Sequence, residues 1–141
     1  MISWRLVLAG LLAGLVLNAG EAVLHGVVLA DATVQAMAAL GRAEGSSAAG
    51  LAMLIGITFV QGVVGVWLYA LLLARGSARG AAVITAGLAL WVVSAVYSAV
   101  YLGSGLPNLM PAAVVWWPVV WGAVEYPLAI FVGAAAYRER R

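Results

Sequence analysis

Apolar positions in this chain gather into four long runs, at about Leu6–Leu29, Leu51–Ala74, Ala81–Leu102 and Val114–Ala136. Roughly twenty residues at 1.5 Å each cross about 30 Å of hydrocarbon, so every run is long enough to span a bilayer as a helix. The breaks between runs carry turn chemistry. Arg42 to Gly50, around Glu44-Gly45-Ser46-Ser47, reads as a flexible loop, and Arg75-Gly76-Ser77-Ala78-Arg79-Gly80 as a tight basic turn. Gly103-Ser104-Gly105-Leu106-Pro107-Asn108 turns the chain a third time, with Pro111 ending that loop. Between the first two runs, Asp31 is placed to cap a short amphipathic helix over Ala32–Leu40, with Val34, Met37 and Ala38 as its apolar stripe and Gly41 as its stop. The pattern therefore predicts an all-α membrane protein. Its fold is an antiparallel four-transmembrane-helix bundle, one domain over residues 1–141, with a short interfacial helix in the first outer loop.

Composition agrees: 66% of the chain is hydrophobic and 9% is charged, a balance of polytopic membrane proteins. Arg5 followed by Leu6–Leu17 imitates a signal peptide. Leu17 and Ala19 make a poor small-x-small cleavage site, however, and hydrophobicity resumes at Val27-Val28-Leu29, so a retained helix is expected. Orientation rests on arginine, because the chain has no lysine. Arg5, Arg75, Arg79, Arg138, Arg140 and Arg141 fall on one side of a four-span layout and only Arg42 on the other. The positive-inside rule then expects both termini in the cytoplasm, in a bacterial inner membrane. Trp4, Trp116, Trp117, Trp121, Tyr101 and Tyr137 read as two aromatic interfacial belts, and Trp67 and Trp91 as packing groups.

Against this apolar background a few polar residues stand out. Asn18, Glu21 and His25 follow i, i+3, i+7 spacing and share one face of the first span. An ionisable group near the centre of a span costs about 2.5–3.5 kcal/mol on insertion scales, so that face should meet protein or water. Counted from the interfacial anchors, Asn18 lies roughly 10 Å below the outer surface, Glu21 about 6 Å, Glu125 and Gln61 about 12 Å, and Ser94 about 10 Å. Each helix thus brings a polar side chain to one outer layer, which Tyr97 and Ser98 can join. Gly10 and Gly14, Gly62 and Gly65, and Gly122, Ala129 and Gly133 mark the faces along which the helices should approach closely. Pro127 cannot donate to the Ala123 carbonyl and is expected to kink the fourth span near Glu125.

Two readings of this layer stand side by side. In one, Glu21 and Glu125 are structural carboxyls that hold the bundle together with Asn18 and Gln61. In the other, they are alternating acceptors of a proton or cation site open to the outer side. His25 reads as a solvated or capping histidine; a Glu21-x-x-x-His25 metal pair has too few ligands without help. With no cysteine and one histidine, thiolate chemistry, iron–sulfur clusters and bis-histidine haem from a single chain are excluded, and no metal or other cofactor is expected. The Gly-rich stretches lie in spans and form no phosphate loop, and no nucleic-acid partner is indicated. An apparent likeness between the two halves, Gln61-Gly62-Val63-Val64-Gly65 over Trp121-Gly122-Ala123-Val124-Glu125, is short and rich in small residues, and reads as chance.

The Asn18-Ala19-Gly20-Glu21 and Trp121-Gly122-Ala123-Val124-Glu125 elements resemble those of small four-helix bacterial inner-membrane proteins, which carry Asn-x-x-Glu in the first helix and Trp-Gly-x-x-Glu in the last. That family has no assigned activity, so the resemblance implies only that the two Glu sites belong together. The layout is also similar to that of small multidrug exporters in having four helices and a Glu in the first. The looser loops and the second acid in the last helix set this chain apart. The expected function is non-catalytic: an accessory or interaction subunit of a membrane assembly, in contact with lipid and either homo-oligomeric or part of a larger complex. The alternative is a proton-linked small-solute transporter or permeation subunit using Glu21 and Glu125.

Overall fold

The computed structural model describes residues 3–41, 47–105 and 110–137. The Arg42–Glu44 part of the first loop, the Leu106–Asn108 part of the third, and the Arg138–Arg141 tail lie outside the described residues. Four helices are long and apolar enough to cross a membrane: Trp4–Val28, Ala48–Ala74, Arg79–Ser104 and Ala112–Ala136. The chain is a multi-pass, all-α membrane protein.

The first span consists of α1 (Trp4–Val23) and a π-helical turn over Leu24–Val28, and leads directly into the short α2 (Ala30–Ala39). The second is α3 (Ala48–Ala74). The third comprises α4 (Arg79–Trp91), a π turn Val92–Val96, α5 (Tyr97–Val100) and a second π turn Tyr101–Gly105; the fourth is α6 (Ala112–Ala136). Local signals explain the ends. Ser3 Oγ accepts from Leu6 N at 3.3 Å, and Ser47 Oγ accepts from Gly50 N at 3.1 Å, so α3 begins three residues before the expected Leu51. At the other end of α3, Gly76 adopts φ +87°. Its N–H bonds Leu73 O at 2.9 Å and that of Ser77 bonds Leu72 O at 3.1 Å. This Schellman closure makes the basic turn as tight as the sequence suggested.

The helix after the first span departs from expectation. It starts at Ala30, with Leu29 rather than Asp31 at its cap; Asp31 sits inside the first turn and makes no capping bond. The reason is continuity. Leu29 N donates to Leu24 O at 2.7 Å, closing the π turn, and Thr33 N donates to Leu29 O at 2.8 Å, so the chain never unwinds enough to need a cap. The buried stripe is correspondingly Leu29 and Ala36, whereas Val34 and Ala38 are exposed. Gly41 does end the segment, at φ +70°.

The four long helices form a ring in which α1 packs on α3 and α6, α4 packs on α6 and α3, and α3 also touches α6 across the centre. Leu6, Ala9, Ala13 and Leu17 of α1 meet Val66 and Tyr69 of α3, Ala82, Ala86 and Leu90 of α4, and Tyr126, Ala129 and Ile130 of α6 in one core. Glycines set the spacing along the stripes expected to pack closely. A Cβ on Gly10 or Gly14 would press into the α3 backbone at Val63 or Phe59, and one on Gly62 into the α1 backbone at Gly10 and Gly14. On α6, Gly133 is filled by Val66 and Ala13. Lipid supplies no hydrophobic drive between helices, so this close contact is what holds them together. Gly87 gives room to Pro127, and α6 runs as one helix through Pro118 and Pro127.

Candidate functional site

The polar layer divides in two. The Gly10–Val63 and Gly14–Phe59 pairings set the antiparallel register of α1 and α3, which places Gln61 level with Leu12. Gln61 is therefore about six residues, or roughly 9 Å, from the level of Asn18, and the two amides do not meet. Asn18 instead turns back on its own helix, donating from Nδ2 to Gly14 O at 2.9 Å. Counting residues from interfacial anchors does not fix the register of two helices against each other; the glycine contacts do.

One half of the layer joins α3 to the third span. Gln61 Nε2 donates to Ser94 Oγ at 2.9 Å, and Ser94 lies beside Tyr126 of α6. Tyr97 and Ser98, placed to join this group, are exposed instead, and Tyr97 stacks on Tyr101 with ring centroids 6.4 Å apart. The π turn over Val92–Val96 carries one residue more per turn than an α-helix, which rotates the following residues off the face that Ser94 occupies.

The other half lies between the outer halves of α1 and α6. Glu21 Oε2 and His25 Nε2 are 3.2 Å apart, one turn from each other and both partly exposed. The helical spacing of these residues placed them together correctly. The two groups face each other one turn apart, and no three metal-ligating side chains gather among the described residues, so the pair reads as a partly exposed side-chain contact within the first span. Glu125 is different. It is only 6% exposed, and neither Oε1 nor Oε2 has a hydrogen-bond partner. Glu21 is near enough to act on it electrostatically.

The groove that holds Glu125 has a volume of about 430 Å³ and is lined by Val16, Ala19, Gly20 and Val23 of α1 and by Trp121, Val124, Glu125 and Leu128 of α6. Gly20 makes it possible: a Cβ there would collide with Glu125 Oε1. The residue of the Asn18–Glu21 element that touches Glu125 is thus neither polar member but the glycine between them. Trp121, assigned above to an interfacial belt, is partly buried. Its Nε1 is buried one turn from Glu125 on the same groove, and the carboxyl is the acceptor within its reach, short of ideal hydrogen-bond geometry. The i, i+4 spacing of Trp121 and Glu125 was the signal that could have placed the indole at the acid. Trp4, Trp116, Trp117 and Tyr101 are exposed as belt residues should be, and Trp91 packs inward, donating from Nε1 to Val119 O at 2.8 Å.

No protein-family model, curated protein or solved structure matches the chain. The function must be read from the geometry.

Proposed function

We propose that the protein is a non-catalytic interaction subunit, homo-oligomeric or held in a larger assembly, in a bacterial inner membrane with both termini in the cytoplasm. One observation carries the reading. From Leu51 to Ile57, two full turns at the start of α3, every residue is exposed. Its inner half, by contrast, buries Gly62, Gly65, Val66 and Tyr69. A span that finds neighbours along half its length has a free side along the rest, which lipid or a further helix covers, and close packing of small residues favours the helix. The exposed Tyr97–Tyr101 stack extends the same unpartnered surface on the third span. The arginine asymmetry supports the orientation.

The absence of cysteine makes the test direct. Single cysteines at Met53 and at Phe131, both exposed, are compared by thiol cross-linking in native membranes. Cross-linking in high yield at Met53 and not at Phe131 is expected. Equal yields, or no cross-link at Met53 to either a second copy or another membrane protein, would overturn the proposal.

A second reading, proton-linked transport of a small solute, is favoured by the buried Glu125 within a span, near a second carboxylate. It requires that Glu125→Gln abolish coupled flux in liposomes while the fold persists.

A further inference from the structure

Positive charge gathers at one end of this bundle and nothing described there neutralises it. Arg5 stands where the first span begins, and Arg75 and Arg79 stand where the second span ends and the third begins. Among the described residues no carboxylate lies within ion-pair reach of any of the three. The described acids, Glu21, Asp31 and Glu125, belong to the other half of the helices that carry them. In the sequence beyond Tyr137, Arg138, Arg140 and Arg141 outnumber Glu139.

Helix register gives two of these arginines a depth. Gly10 meets Val63, so the antiparallel pairing of α1 and α3 brings Trp4, the first residue of α1, level with Tyr69. Gly133 meets Val66, which brings Ala136, the last residue of α6, to the same level. Past that level α3 continues from Ala70 to Ala74, about 7–8 Å at 1.5 Å per residue, before the chain turns into α4. Trp4 is 67% exposed with the Arg5 guanidinium 5.8 Å from its ring centre, an anchor for the edge of the hydrocarbon. Headgroups fill roughly 5–8 Å beyond that edge. The α3–α4 turn thus projects past its neighbours to the depth of lipid phosphates.

The turn is also open. Arg75, Gly76, Ala78, Arg79 and Gly80 are all exposed, and a Cβ on Gly76 or Gly80 would meet nothing within 4 Å. The Gly76 N–H to Leu73 O and Ser77 N–H to Leu72 O bonds hold the backbone between the two arginines. A guanidinium presents paired donors that match phosphate oxygens. A choline headgroup would carry its own cation to this surface, whereas an acidic headgroup brings none. We propose that the Arg75–Arg79 turn binds the phosphate of an acidic phospholipid in preference to a zwitterionic one. The preference follows from charge and depth, and holds whichever side of the membrane the turn faces and whether or not a partner subunit is present. Its failure would therefore leave the proposed interaction role standing, and the converse.

The cysteine-free chain allows one reporter at a time. The full-length protein carrying Ala78→Cys, between the arginines, or Ala49→Cys, at the opposite end of α3, is labelled with bimane and reconstituted in phosphatidylcholine vesicles. Nitroxide-bearing phosphatidylglycerol and phosphatidylcholine, labelled on the acyl chain near the glycerol, are then compared as quenchers at equal mole fraction. At Ala78→Cys the acidic lipid should bind at least fivefold better, since each arginine near the surface is worth about fivefold. The preference should shrink between about 0.1 M and 1 M salt, be absent at Ala49→Cys, and fall to within twofold of unity in Arg75→Gln/Arg79→Gln. Equal quenching by the two lipids at Ala78→Cys, the same preference at Ala49→Cys, or a preference unchanged by the double substitution would overturn the proposal. Should the double variant fail to fold, the two lipids and two label positions on the arginine-intact chain decide the matter.

Discussion

Gly62 tests whether glycine contacts hold this bundle together. A Cβ placed there meets the Gly10 carbonyl oxygen, the Gly14 nitrogen and, at 2.8 Å, the Gly14 Cα. All three are backbone atoms of a helix and cannot swing aside as a side-chain tip would, so Gly62→Ala must push α1 and α3 apart by roughly 1 Å to regain ordinary carbon contact. A gap of that size forfeits up to about half of the ~0.1–0.2 kcal/mol in each affected atom pair along the seam. Overpacked cores lose about 1–3 kcal/mol in total. Gly→Ala in a helix interior itself gains about 0.5–1 kcal/mol, and this gain should remain as the whole effect at Gly56, where a Cβ meets nothing within 4 Å. The two substitutions sit in one helix and make the same chemical change, so their difference isolates the contact. Reversible unfolding in mixed micelles of dodecylmaltoside and dodecylsulfate, followed by circular dichroism, should show Gly62→Ala about 2 kcal/mol below Gly56→Ala. Equal stability of the two variants would refute the account of α1–α3 packing.

Two further outcomes separate hydrogen bonds that cross between helices from those that do not. A double-mutant cycle on Gln61→Ala and Ser94→Ala should return a coupling of about 0.6 kcal/mol, the usual size for a polar pair between membrane helices, while Asn18→Ala and Ser94→Ala should be additive because Asn18 bonds only its own helix. Trp91→Phe removes the donor to Val119 O together with part of the indole's packing, and should destabilise by at least about 1 kcal/mol in the same unfolding assay.

The sequence by itself determined the fold class and the four spans, which the structure places within three residues of their expected ends. Length and hydropathy decide those features, because a helix that satisfies its own backbone is what an apolar run of that length must become in lipid. Neighbours in one helix were legible for the same reason: Glu21 and His25 meet because four residues make a turn. The glycine stripes were legible as well, since close approach needs a missing side chain wherever it occurs. The partners across helices were decided only by the tertiary structure. The register set by Gly10, Gly14 and Gly62 leaves Gln61 away from Asn18 and beside Ser94, and no count of residues from an interface contains that register. The π turns are equally silent in the pattern, yet they turned Tyr97 and Ser98 outward and carried the first span into α2 without the Asp31 cap. Glu125 was visible as an acid in a span. That it lies buried between α1 and α6, admitted by Gly20 and flanked by Trp121, follows from how the two helices pack, and packing is a property of two helices at once.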